Sequence, residues 1–310
     1  MRLLYIGPPD FAPVVRSSLP AGYEVDVTLD ESVVDRLIPA CDVILDAYMK
    51  IRFSSDRLGR ADHLRLFAAA STGADHVDSS VLTARGIPLF TLRDDPESLR
   101  EITAAAEHSW LLLMACARHL RGAVSDVLAG QWERTRHPGL MLRGRILGVV
   151  GCGRIGQWMS NYAKSFGMVC LGYDPHVQPW PGTIERVDMR AIFERSDVVS
   201  IHVSLTNETR GLIGAREFAL LRPGAIFVNT SRGDVIDESA LLAALLSGRV
   251  AAAGLDVLTG EPDISDHPLV EYARSHEHLI LTPHIAGFSP DALRSVLIQC
   301  CVRIGRHFGA

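Results

Sequence analysis

Three polar residues stand where an apolar, strand-like run stops. Arg232 closes Asn229-Thr230-Ser231-Arg232-Gly233 after the run 225–229. Glu261 lies in Gly260-Glu261-Pro262, a short way beyond Gly254-Leu255-Asp256-Val257. His284 lies in Thr282-Pro283-His284-Ile285-Ala286-Gly287, at the end of the run 279–282. In open α/β sheets the carboxyl ends of strands are where ligands bind. A guanidinium is always charged, and its planar fork matches a carboxylate. Imidazole ordinarily titrates near ~6.5, so it can both give and take a proton. A carboxylate beside it stabilises the imidazolium. The set suits a 2-keto acid. Taken singly, each residue has a plain structural alternative: a surface ion pair, a turn carboxylate before proline, a strand-end cap.

A second constellation precedes these. Gly151-Cys152-Gly153-Arg154-Ile155-Gly156 follows the apolar run 146–150 and opens a helical pattern. In a strand–turn–helix context Gly151 permits the tight turn, Gly153 lets backbone approach a pyrophosphate, and Gly156 lets the helix pack closely. The anion then sits at the helix N-terminus. Asp174 ends the next apolar run, 169–173, where a carboxylate accepts from the ribose hydroxyls of an adenosine. A 2′-phosphate there would meet a like charge, which favours NAD over NADP. The alternative is that the glycines only turn the chain and Asp174 caps a strand. Arg154 fits either a pyrophosphate contact or a surface position.

The elements that must position these residues follow from the pattern. Apolar runs at 3–6, 25–28, 43–45 and 66–70 alternate with helical material, as one small parallel α/β unit would. Residues 102–120 read as a helix apolar nearly all round, broken only by Glu107, His108, Arg118 and His119, and so buried at an interface. A turn-rich arm follows, 130–145, with Trp132 and His137-Pro138-Gly139. Runs at 146–150, 169–173, 198–203, 225–229, 252–256 and 279–282 supply six strands, the count of a full dinucleotide-binding sheet. A last helix is expected over 290–307.

Composition closes off other classes. The 310 residues carry a net charge of −5, so no basic field favours nucleic acid or an anionic membrane. The longest purely apolar run, 110–117, is far short of the ~20 residues of a membrane span. The opening residues read as a strand and a turn rather than a signal peptide. Six cysteines show no CxxC and no paired spacing, which suits a reduced, cytoplasmic protein. His276, His278 and His284 could be read as a metal cluster, but nothing else supports one, and no metal is expected.

At this point the chain resembles the D-isomer-specific 2-hydroxyacid dehydrogenases over essentially its whole length. The resemblance rests on the glycine motif with Asp174, on residues 221–233 (Leu-Arg-Pro-Gly-Ala-Ile-Phe-Val-Asn-Thr-Ser-Arg-Gly), on Thr282-Pro283-His284, and on the Arg–Glu–His order and spacing. It implies an α/β fold of two Rossmann-like domains, doubly wound parallel sheets with the active site in the cleft. The expected division is 1–92 plus 288–310 for substrate and 93–287 for NAD. The resemblance makes Arg232 the carboxylate clamp, His284 the proton donor and acceptor, and Glu261 its partner. Asp256 matches the position that binds the nicotinamide carboxamide. Ile155, His202, Val203, Ser204, Thr209, Thr230, Ser231 and Gly287 are placed along the cofactor with Gly151, Gly153, Arg154, Gly156, Asp174, Arg232 and His284. Thr72-Gly73-Ala74 resembles a loop whose N–H groups bind the substrate carboxylate, and Lys50 stands where a substrate contact is often placed; a solvated lysine is the alternative. His76 reads as structural. The helix 102–120 and the arm 132–145 resemble dimer contacts, so a homodimer is expected.

The chain also departs from the pattern. Ser204 stands where many members carry proline, and Thr91 where many carry asparagine. The stretch 92–102 is longer and more charged, with Arg93, Asp94, Asp95, Glu97, Arg100 and Glu101. With Lys50 and Arg52, the arginines there would favour a second anionic group on the substrate. Two rivals share the fold: a non-catalytic, NAD(H)-sensing co-repressor-type protein, and a formate- or phosphite-type dehydrogenase.

Overall fold

The computed structural model describes residues 1–95 and 99–309; Glu97 lies outside them. The chain divides into two compact units, 1–102 with 289–310 and 103–288. The first unit thus runs to Ile102 rather than ending at 92. The reason is packing: Leu92 and Leu99 are buried in its core and Ile102 packs against them. At the other end, Phe288 still belongs to the second unit.

The first unit holds one sheet of β1 (Arg2–Ile6), β2 (Glu24–Thr28), β3 (Val43–Asp46), β4 (Leu66–Ala69) and β5 (Leu89–Phe90). Its order is β2-β1-β3-β4-β5, parallel throughout. Side chains alternate faces along a strand, and both faces are covered. Leu3 and Tyr5 join a core with Val15 and with Leu293, Leu297 and Ile304 of the helix Pro290–His307. Leu4 and Ile6 join a second core with Val34, Phe53 and Phe67. Burial on both faces is why these strands read as unbroken apolar runs. The order reverses between β1 and β3, so the segments after those strands flank a switch point.

The second unit holds β6 (Ile146–Val150), β7 (Val169–Tyr173), β8 (Glu185–Arg186), β9 (Val198–Ile201), β10 (Ala225–Asn229), β11 (Val250–Leu255) and β12 (Leu279–Leu281). They lie in the order β12-β11-β10-β9-β6-β7-β8, again all parallel. β8 is the addition to the six expected strands. It is two exposed charged residues on the edge of β7, with no apolar run to announce it. The buried helix is Ala104–Ala117, shorter than expected. His119 takes a left-handed backbone at φ 49°, and a separate helix, Leu120–Leu128, starts there. Leu112, Leu113 and Cys116 pack with Leu147, Val149 and Val228. No described helix is long and apolar enough to cross a membrane.

Candidate active site

β6 pairs with β7 on one side and β9 on the other, so its carboxyl end is the switch point of the second sheet. The helix Arg154–Ser165 begins directly after the loop there. Gly151 has φ +93°, and a Cβ on it would meet the carbonyl carbon of His202 at 2.6 Å. A Cβ on Gly156 would meet the Gly151 oxygen at 2.2 Å. At Gly153 a Cβ would find nothing within 4 Å. The space at the first and third glycines is therefore filled by protein, while the second leaves open space before a helix start, where N–H groups and the dipole attract an anion. That is the cradle a pyrophosphate requires. Burial pushes the intervening Cys152 thiol up to about 12, so it stays protonated and unreactive.

Asp174 follows β7. One carboxylate oxygen accepts from Cys152 N at 2.9 Å, tying it to the glycine loop; the other accepts from His176 N at 2.8 Å and Val177 N at 3.1 Å. A carboxylate has roughly four acceptor sites, so capacity remains for a further donor. Arg154 and Ile155, both half-buried, open the helix. Burial lowers the Arg154 guanidinium from its ordinary value without uncharging it.

His202, Val203 and Ser204 follow β9 against Gly151. Burial pushes His202 down to about 3. Its Nε2 lies 2.8 Å from Ser200 Oγ, and its buried Nδ1 has no partner among the described residues. Thr209 is used by its own loop: its hydroxyl donates to Ser204 O at 2.6 Å and accepts from Thr206 N at 2.8 Å. A histidine held neutral in the fold binds fewer protons than in the unfolded chain. Stability is therefore expected to fall as pH drops from 6.5 toward about 3, and His202→Gln should flatten that decline. Equal acid sensitivity of the two proteins, read as Tm against pH, would refute this.

The loop after β10 is shaped by the fully buried Asn229. Its Nδ2 donates to Arg232 O at 2.9 Å, and its Oδ1 accepts from Ser231 N at 3.0 Å and Ser231 Oγ at 2.7 Å. Arg232 is half-buried, with Nη1 donating to Ser231 O at 2.7 Å. Thr230 Oγ1 contacts Ser109 Oγ at 2.7 Å. Gly233 seats this loop on the turn that carries Glu261: a Cβ there would lie 2.2 Å from the backbone of Leu258 and Thr259. That turn is held from below by Glu238, which accepts from Thr259 N at 2.9 Å and pairs with His267 Nε2 at 3.0 Å.

Glu261 and His284 meet, with Oε1 and Nδ1 separated by 2.5 Å. Glu261 Oε2 also accepts from Leu258 N at 3.3 Å. With Nδ1 given to Glu261, Nε2 is the ring atom left for exchange. His284 has a left-handed backbone, φ 55°, and its N–H donates to Asp256 O at 2.8 Å. Asp256 itself is fully buried. Its carboxylate accepts from Thr282 Oγ1, from Ile285 N at 3.0 Å and from Ala286 N at 2.7 Å. The residue expected at the carboxamide thus anchors the loop on both sides of His284. Gly287 ends that loop in open space, with nothing within 4 Å of a Cβ.

The remaining expected contacts lie on the first unit, after the neighbouring strands β3 and β4. Lys50 is exposed, with Nζ 5.4 Å from the centroid of the Tyr48 ring. Thr72 is exposed, and Gly73 and Ala74 are half-buried. Their backbone N–H groups take no partner among the described residues. Asp46, at the end of β3, is fully buried; it accepts from Tyr48 N at 2.8 Å and Met49 N at 3.0 Å and pairs with His76 Nε2 at 2.7 Å. His76 therefore ties the two loops together. On the second unit, His276 and His278 are engaged by Tyr272, one stacked at 3.8 Å and the other hydrogen-bonded at 2.9 Å. Sequence reasoning missed Asp46, His108, Ser109, Glu238 and His267. Asp46, His108 and Ser109 stand in or at the end of apolar runs, whereas Glu238 and His267 lie in polar turns that carry no signal.

Residues 110–286 match the family described as D-isomer specific 2-hydroxyacid dehydrogenase, NAD binding domain. The chain is 34% identical over 292 residues to a hydroxypyruvate reductase of Thermotoga maritima, covering 92% of each. It is 33% identical over 280 residues to a D-3-phosphoglycerate dehydrogenase of Archaeoglobus fulgidus, covering 89% of this chain and 51% of that one, so it spans about half the length of that relative. Among solved structures it resembles the D-lactate dehydrogenase of Aquifex aeolicus complexed with NAD and lactic acid, at TM-score 0.85 and 24% identity over 99% and 95% of the two chains, a likeness of fold. The glycine cradle, its aspartate and the family match agree, and the chain belongs to the D-isomer-specific 2-hydroxyacid dehydrogenases, oxidoreductases that use NAD(H) to interconvert 2-keto and 2-hydroxy acids.

Proposed function

We propose that the protein reduces a small 2-keto acid of the glyoxylate or hydroxypyruvate type, with Arg232, Glu261 and His284 as its catalytic residues. The observation that carries this reading is the 2.5 Å contact between His284 Nδ1 and Glu261 Oε1, which fixes the ring and frees Nε2. NAD(H) supplies or accepts the hydride. The Arg232 fork holds the substrate carboxylate and polarises the neighbouring carbonyl. His284 Nε2 gives its proton to the carbonyl oxygen, and Glu261 stabilises the imidazolium form that does so. In the opposite direction the same nitrogen takes the hydroxyl proton. The unengaged N–H groups of residues 72–74 and the exposed Lys50 supply the substrate contacts of the first unit. The test is NADH oxidation over a panel of keto acids with small, branched, aromatic and phosphorylated tails. NADH binding without turnover on any of them would favour a sensor.

Asp174 sets the cofactor preference in this reading. A half-buried Arg154 at a helix start opposes the helix dipole, and a bound pyrophosphate reverses that penalty. Asp174→Asn keeps the shape and removes the charge. It should raise the Kd of NADH and narrow the preference for NADH over NADPH. Equal losses for both cofactors, by fluorescence titration, would sink the assignment.

A homodimer is proposed through the second unit. Leu128 and Trp132 are 83% and 89% exposed, and Val124, Val127 and Met141 share the helix Leu120–Leu128 and the arm after it. So much exposed apolar surface fits a self-association face. Light scattering should give twice the chain mass, and Trp132→Arg should shift it toward one. A cytoplasmic, reducing location is proposed on the six cysteines, all buried and unpaired.

A further inference from the structure

The helix Ala104–Ala117 sends two adjacent polar side chains to two different loops. His108 Nε2 lies 3.0 Å from Thr282 Oγ1 and 3.5 Å from Asp256 Oδ1. Ser109 Oγ donates to Ala105 O at 2.7 Å and lies 2.7 Å from Thr230 Oγ1. Each hydroxyl has one proton. That of Thr282 goes to Asp256, so His108 Nε2 must be the donor to Thr282. That of Ser109 goes to Ala105, so Thr230 must donate to Ser109. A single ordered chain therefore runs from His108 through Thr282 to Asp256 and on to the N–H groups of Ile285 and Ala286. Ser109 is fully buried and the His108 side chain is 13% exposed, so losing either bond leaves a buried partner unsatisfied.

Thr230 precedes Arg232 in one loop, and Thr282 precedes His284 in the other. Those loops follow β10 and β12, which are not neighbours: β11 lies between them. Backbone bonds join the strand ends only by way of β11: Asp256 N donates to Asn229 O at 3.0 Å, and Thr282 N to Leu255 O at 2.9 Å. The helix adds a direct side-chain tie between the two loops, at Thr230 and Thr282, through two residues one position apart. We propose that His108 and Ser109 are positioning residues that set the separation of Arg232 and His284. The need is chemical. The carboxylate and the carbonyl oxygen of a 2-keto acid are attached to adjacent carbons, so clamp and proton donor must be held at one spacing. A misplacement of about 1 Å costs about 100-fold in rate. The inference rests on the roles proposed above for Arg232 and His284.

The test compares His108→Ala, His108→Gln, Ser109→Ala and His284→Asn with the intact protein. His108→Ala should lower kcat by about 100-fold while the Kd of NADH holds. It should also speed amide hydrogen exchange at Ile285 and Ala286, measured without substrate. Glutamine keeps an N–H donor at similar reach, so His108→Gln should restore slow exchange and most of kcat. Ser109→Ala should raise KM for the keto acid more than it lowers kcat, because it loosens the Arg232 loop. Unchanged exchange in His108→Ala, or wild-type kcat there beside an inactive His284→Asn, overturns the inference alone. A His284→Asn enzyme that keeps full turnover overturns both the inference and the reading beneath it. Should His108→Ala fail to fold, His108→Gln and Ser109→Ala carry the same comparison.

Discussion

His284→Ala should lower kcat for 2-keto acid reduction by about 10²- to 10⁴-fold, the span expected for a lost general acid. The affinity for NADH should change little, because the ring's contacts run to Glu261 rather than to the glycine cradle. The backbone complicates a simple reading. His284 sits at φ 55°, a region in which histidine is several-fold enriched over residues such as alanine. Asparagine tolerates that region well. His284→Asn therefore separates lost chemistry from a strained loop: both variants should fall alike in kcat, and only alanine should lower Tm. Asparagine at near wild-type kcat would remove His284 from the proton path.

Arg232→Ala should reduce kcat/KM by a comparable amount. Two charge-assisted hydrogen bonds to a carboxylate contribute together about 3–6 kcal/mol, which is roughly 10²- to 10⁴-fold. Arg232→Lys keeps the charge but loses the fork, so it should recover part of KM and little of kcat. The loop should survive both changes, because Asn229 and Gly233 shape it independently of the guanidinium. An alanine variant within tenfold of wild type in kcat/KM would mean that another group holds the substrate.

Much of this architecture was legible before any coordinates. β6, β7 and β10 and the last helix fall at their expected bounds, because the strands' apolar runs stop at Gly151, Asp174 and Asn229 and the helix opens at Pro290. The glycine cradle was legible for a similar reason: Gly151 and Gly156 answer steric demands of the fold, and Gly153 keeps the space between them open. What escaped notice depends on distance rather than pattern. β8 exists only because Glu185 and Arg186 line up with Leu171 and Gly172 across a gap in sequence. His108 and Ser109 sit in an apolar helix, where a polar residue has no meaning until its partner, far along the chain, is known. Asp256 shows the same limit in reverse. Its position at a strand end pointed to a ligand, and nothing in the string showed that its carboxylate also accepts from three donors of the His284 loop. The break at His119 had no glycine to mark it.

The helix Pro290–His307 fills the core over β1 with residues almost 300 positions further along the chain. During synthesis that core has no means of closing until this helix leaves the ribosome, whereas residues 103–288 are contiguous and can fold as they emerge. The newborn chain therefore spends most of its translation with Leu3, Tyr5 and Val15 lacking their partners on one face of an incomplete sheet. A premature stop that removes this helix would strand the half made first and leave residues 103–288 intact. Limited proteolysis of such truncated chains should yield a stable fragment from the middle of the sequence.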